Sequence, residues 1–250
     1  GAFRFKSPKN YFKAYGKEHT NKELLKFASY GATEFNLKKI KKTSLVANPG
    51  CYALCALLSL APLTKVKFID FKKNIKIHAI NGTTGAGASL RKEISHENAT
   101  ENMLAYNAMG HRHAPEIEEK LENLFNVKNA CVDLNTAHGN FRRGIFMQIS
   151  LELQKNFKGK LSRNILIKKY KEFYKNKKIH NFVSINEFER TGEKNDKDYM
   201  IYPQLNNVIG TNNCLIGLDF DQDRKIVKII SVIDNLVKGA AGSAIQNMNI

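Results

Sequence analysis

No apolar run in this 250-residue chain is long enough to cross a bilayer. The longest, Tyr52 to Leu63, falls well short of the roughly 20 residues that a spanning helix needs. The first residues also lack the apolar centre of a secretory signal, so neither a membrane partner nor export is expected. Cysteine is scarce, with 4 residues, and none lies in a CxxC pair or at zinc-ribbon spacing. That excludes a disulfide framework, leaves metal without a clear ligand set, and points to a reducing compartment, the cytoplasm in the first instance. Acidic residues are few, 23 against 40 basic ones, for a net charge of +17. The excess is not a nucleic-acid footprint, because 32 of the 40 are lysines spread over many segments without regular aromatic interleaving. It suits the attraction of small phosphate-bearing substrates. A complete GxGxxG dinucleotide fingerprint is absent as well.

What remains, with 42% hydrophobic and 25% charged residues, is a soluble globular composition. Ser44 to Ala47 reads as a short strand that ends in the turn Asn48-Pro49-Gly50. A helix starts at or near Cys51 and is stopped by Pro62. Ile75 to Ile80 alternates as a strand and runs into the glycine-rich turn Gly82 to Gly87. A second helix is signalled from Pro115, with Glu116, Glu118 and Glu119 at its positive end and Ile117, Leu121, Leu124 and Phe125 as its apolar stripe. Further strands are expected around Ala130 to Leu134, Ile145 to Leu153, Phe182 to Ile185, Cys214 to Phe220 and Ile226 to Ile233. Helices are expected at Lys22 to Phe27, Leu161 to Tyr174 and Leu236 to Asn249. The mixture is α/β or α+β, and periodicity alone does not choose. Cys55 is expected to face the core, and Cys131 and Cys214, in short apolar runs, read as buried structural thiols.

Four segments carry chemistry. Cys51 follows Pro-Gly at a helix start, where unpaired amides favour a thiolate and can hold an oxyanion; a buried core cysteine is the competing reading. In Gly110-His111-Arg112-His113-Ala114-Pro115-Glu116, two imidazoles flank a guanidinium just ahead of a helix. A histidine there tends to the neutral form, competent as a base, and Arg112 suits a carboxylate or phosphate. Asn81-Gly82-Thr83-Thr84-Gly85-Ala86-Gly87 lets a ligand approach the backbone, although a tight turn explains it equally. Asp234-Asn235-Leu236-Val237-Lys238-Gly239-Ala240-Ala241-Gly242 is small-residue sequence fit for close packing on a core or a cofactor.

Taken together and in this order, these segments resemble the N-acetyl-γ-glutamyl-phosphate reductases. So do Gly1-Ala2-Phe3-Arg4, Tyr15-Gly16-Lys17-Glu18-His19, Ala105-Tyr106, Gly210-Thr211-Asn212 and Ile233 to Asn249, and the likeness runs almost end to end. The resemblance implies α/β architecture with an α+β catalytic domain like that of glyceraldehyde-phosphate dehydrogenase, plus the residual end of a Rossmann domain. Residues 1–50 would be that Rossmann remnant, 51–234 the catalytic and dimerisation domain, and 235–250 a C-terminal helix packing back toward the cofactor domain. The glycine-rich turn for the cofactor pyrophosphate would then lie ahead of Gly1. The implied activity is NADPH-dependent reduction of a small-molecule acyl phosphate through a Cys51 thioester in arginine biosynthesis, by a homodimer or homotetramer. His113 is the implied acid/base, with His111 open as the other candidate. Arg4, Asn48 and Arg112 are implied for substrate, and Gly82, Thr84, Gly85, Ala86 and Asn235 for NADPH/NADP. No metal is expected. Ala53-Leu54 departs from the family pattern after the Cys-Tyr pair and bears on substrate fit. A reductase of carrier-bound aminoadipyl phosphate in lysine biosynthesis, and a non-catalytic dimerising remnant, are the alternatives.

Overall fold

The computed structural model describes residues 1–87, 92–95, 97–192 and 197–250. In chain order its elements are α1 (Pro8–Tyr15), β1 (Ser29–Tyr30), α2 (Thr33–Ile40), β2 (Val46–Ala47), α3 (Cys51–Leu60), β3 (Asn74–Asn81), β4 (Leu104–Tyr106), α4 (His113–Phe125), β5 (Cys131–His138), β6 (Ile145–Glu152), α5 (Arg163–Phe173), α6 (Lys177–His180), β7 (Val183–Ile185), β8 (Cys214–Asp221), β9 (Ile226–Ile233) and α7 (Gly242–Met248). The main sheet is mixed, with strand order β4-β5-β3-β6-β9-β8-β7. Its β3–β5 and β7–β8 pairs are parallel and the others antiparallel. β1 and β2 form a separate two-stranded parallel pair, Ser29 opposite Val46.

The sheet forms because its strands alternate. In β3, Ile75, Ile77 and Ala79 are buried while Asn74, Lys76 and His78 are exposed, so one face takes the core and the other keeps polar side chains. α3 covers the apolar face. From Tyr52 to Leu60 every one of its residues is buried, which is what an all-round apolar helix requires. Pro62 has no N–H to offer the carbonyl of Leu58 one turn earlier. The buried hydroxyl of Tyr174 donates to that carbonyl, and Tyr170 Oη donates to the carbonyl of Ser59 at 2.6 Å. α5 therefore caps the end of α3 with two phenols.

Several expectations are corrected here. The Lys22 to Phe27 segment is only a 3-10 turn, Glu23–Lys26. α4 begins at His113, two residues ahead of Pro115, and β5 continues to His138. The Leu236 to Asn249 helix opens with a π-helical turn, Val237–Ala241, before α7. Cys131 is exposed, because it starts β5 on the open side of the sheet. Cys55 and Cys214 are buried.

Candidate active site

Cys51 is the first residue of α3 and is half-buried. Gly50 precedes it with extended backbone, and no side chain caps the helix. Glu116, reaching over from α4 and fully buried, accepts the Gly50 amide at 2.9 Å and the Tyr30 hydroxyl at 2.7 Å on one oxygen. Its other oxygen pairs with Arg4 at 3.4 Å. Arg4 also donates to the carbonyls of Asn48 (2.8 Å) and Pro49 (3.2 Å), so a carboxylate and a guanidinium grip the turn that presents the cysteine. Burial pushes the Cys51 thiol up to about 11, against the opposing pull of the Tyr52 amide and of Arg4. The thiolate favoured by helix placement alone is thus reversed in the resting site: desolvation outweighs the helix end.

The two histidines have different positions. His113, buried at the start of α4, lies directly against the turn: a β-carbon added at Gly50 would fall 2.3 Å from its Nε2. Only glycine admits the imidazole there. That same Nε2 is 3.5 Å from Arg4 Nη1, while Nδ1 is buried without a partner among the described residues. His111 Nδ1 instead accepts the backbone N–H of His113 at 3.1 Å, which engages it as a cap of α4. Burial, then His111, Arg4 and Arg112, hold His113 well below the ordinary histidine range. Burial, then Arg112, brings His111 to about 4. Both rings are neutral at pH 7, as expected for histidines at a helix start. The Tyr52 ring packs edge-on against both, at 5.3 and 5.9 Å, and its hydroxyl meets that of Tyr106 at 2.7 Å. Arg112 is exposed beside them.

The remaining sequence-predicted residues gather on the other side of Cys51. A β-carbon at Gly239, in the π-helical turn, would lie 2.8 Å from Cβ of Cys51 and 3.4 Å from the Asp234 carbonyl. The adjoining Asn235 is buried; its Oδ1 accepts the Gly144 amide at 2.7 Å and its Nδ2 donates to Thr84 Oγ1 at 3.1 Å. Thr84 Oγ1 donates in turn to the Arg142 carbonyl at 2.6 Å. The amides of Thr83, Thr84, Gly85 and Gly87 all donate to chain carbonyls. Gly82 and Gly85 accommodate the Arg142–Arg143 backbone and the Asn81 side chain respectively. Asn48 ties the turn before Cys51 to the C-terminus, donating to the Ala240 carbonyl (3.0 Å) and accepting from Asn247 (3.1 Å). Among the described residues, no group of three or more His, Cys, Asp or Glu is arranged for a metal. The sequence showed Glu116 only as a helix-end charge and gave no sign of Arg143. The Gly-Ala-Ala-Gly run was the one visible signal for close packing on Cys51.

Residues 51–235 match the family described as semialdehyde dehydrogenase, dimerisation domain. The chain is 39% identical over 249 residues to an N-acetyl-gamma-glutamyl-phosphate reductase of Campylobacter jejuni, covering 99% of this chain and 67% of that protein. It is 37% identical over 250 residues to the reductase of the same name from Halothermothrix orenii, again covering 67% of the relative. The chain thus spans about two thirds of the length of these relatives. In structure it is similar to aspartate semialdehyde dehydrogenase II of Vibrio cholerae, with a TM-score of 0.65 at 14% identity over 90% of this chain and 68% of that one. The aspartate semialdehyde dehydrogenase of Francisella tularensis gives 0.65 at 16% identity, over 90% and 71%. The mixed sheet with its helices is the C-terminal fold of this superfamily.

Proposed function

The chain belongs to the N-acetyl-γ-glutamyl-phosphate reductase family of semialdehyde dehydrogenases, and from that membership we propose that it turns N-acetyl-γ-glutamyl phosphate into N-acetylglutamate 5-semialdehyde and phosphate, with NADPH as reductant, in arginine biosynthesis. The observation that carries this reading is Cys51 at the first position of a buried helix, with a neutral His113 lodged against Gly50. The acyl-transfer half follows from these residues. As the Cys51 sulfur bonds to the acyl carbon, its proton passes to His113, the bond to phosphate breaks, and a Cys51 thioester remains. The first amides of α3 would hold the oxyanion as it develops. Glu116 and Arg4 keep the turn and His113 in register, and His111 fixes the start of α4.

We propose that the residues assigned to NADPH border the cofactor rather than grip it. Asn235 and the amides of Gly82, Thr83, Thr84, Gly85 and Gly87 are engaged with the chain itself, and Gly82 and Gly85 accommodate protein, whereas Gly87 faces open space. Their part is to shape the wall beside Cys51. We assign residues 1–50 to the end of a cofactor domain, 51–234 to catalysis and dimerisation, and 235–250 to a returning helix. The dimerisation-domain match supports a homodimer or homotetramer.

The test needs no cofactor. N-acetyl-γ-glutamyl phosphate should acylate Cys51 and release one equivalent of phosphate, read by intact mass and phosphate assay. Cys51→Ser should abolish both, and phosphate release that persists in Cys51→Ser removes the assignment. His113→Gln should slow acylation by about 10²–10⁴-fold, with His111→Asn milder.

A further inference from the structure

Arg4, Arg112 and Arg143 belong to the segments around Cys51, and they are not equivalent. Arg4 is engaged with Asn48, Pro49, Glu116 and His113, which leaves it little to offer a ligand. Arg112 is exposed at the start of α4. Arg143 is different. One arm is fixed on the fully buried Asp234 at 2.8 Å, its side chain is 37% exposed, and its Nε is buried with no hydrogen-bond partner among the described residues. Asp234 already accepts from the amides of Gly210 (2.7 Å), Leu236 (2.8 Å) and Val237 (3.1 Å). The pair therefore orients Arg143 while leaving a charged donor unsatisfied, which is costly unless something else accepts from it.

The corner that carries Arg143 is held on both sides. Thr84 Oγ1 donates to the Arg142 carbonyl, the Gly144 amide donates to Asn235, and the Gly144 carbonyl accepts from Gly82 at 2.9 Å. The Asp234 carbonyl and Cβ of Cys51 both lie within 3.4 Å of the point a Gly239 β-carbon would occupy, so the residue that anchors Arg143 packs on the same glycine as Cys51. A guanidinium fixed at one arm presents its remaining edge as a planar fork, the geometry that carboxylates match.

We infer that Arg143 is the specificity residue of this site and takes the carboxylate of the acyl phosphate, at the end of the molecule opposite the reacting carbon. This rests on the acyl-phosphate reading above. Acetyl phosphate has the reacting group without that carboxylate, so it separates the two ends. In single-turnover acylation, Arg143→Gln should raise the half-saturating concentration of N-acetyl-γ-glutamyl phosphate by about ten- to a hundredfold. Its reaction with acetyl phosphate should be unchanged. Arg143→Lys keeps a charge opposite Asp234 but loses the fork, and should lie between; it decides the matter if the Gln variant melts early. Equal losses with both acyl phosphates would overturn the inference, since Arg143 would then serve phosphate or the scaffold. Unchanged constants with both would overturn it too. If the unsubstituted protein is acylated by neither compound, the proposed function itself falls and this inference with it.

Discussion

At Cys51 two influences oppose each other. The helix start and Arg4 favour the thiolate, and burial disfavours it more, leaving the thiol near 11. Labelling with iodoacetamide should therefore begin at the exposed Cys131, not at Cys51. The Cys51 rate should climb about tenfold per pH unit up to about pH 10, following its thiolate fraction. A plateau near pH 7 would show that substrate-free Cys51 is already ionised. Neighbouring Gly239 gives a second prediction at this scale. Gly239→Ala places a methyl 2.8 Å from Cβ of Cys51 and should lower stability by about 1–3 kcal/mol in urea titration, with Cys51 acylation slowed as the sulfur is displaced. Acylation at the unsubstituted rate would mean the π-turn yields without moving the cysteine.

At the scale of elements, α3 depends on α5 for its ending. Tyr174→Phe leaves the buried Leu58 carbonyl unpaired and should cost about 1–3 kcal/mol in a urea midpoint series; a neutral substitution would mean another donor reaches that carbonyl. Legibility in the sequence also differed by element. α3, α4 and the long strands were legible because their burial follows their own periodicity. β4 was not, since three residues pair with β5 only where the fold delivers them. α2 was legible only as one of the short helices in the polar stretch Lys6 to Lys42, because it buries Glu34 and Asn36, a pattern that makes sense only once Lys238 reaches Glu34 at 2.6 Å and the Tyr30 carbonyl accepts from Asn36 at 2.9 Å.

Across the whole molecule, the Glu34–Lys238 pair joins the segment before the nucleophile to the C-terminal helix, with Gln246 bonded to both partners. Glu34→Gln strands a fully buried ammonium and should cost about 3–5 kcal/mol, whereas an apolar pair of similar volume should recover most of it. Acid stability reads the histidines. Their folded pKa values are depressed, to about 4 for His111 and well below the ordinary histidine range for His113. Between that value and the unfolded value near 6.5 the unfolded chain binds more protons, so stability falls as pH falls through this window and is fully present above it. His111 alone accounts for about 3 kcal/mol of that slope, and His111→Asn should flatten the midpoint-versus-pH curve between pH 6.5 and 4; an unchanged slope would remove His111 from the account.

Residue identity alone determined which groups are candidates for the chemistry, because a cysteine after Pro-Gly, paired imidazoles before a helix and the strand alternation are local facts of the chain. What only the tertiary structure decided is how those groups are tuned. Desolvation of Cys51, the capture of Gly50 by Glu116 and the anchoring of Arg143 on Asp234 all arise between residues far apart in sequence. Burial and long-range charge are properties of packing, and no stretch of sequence contains them by itself.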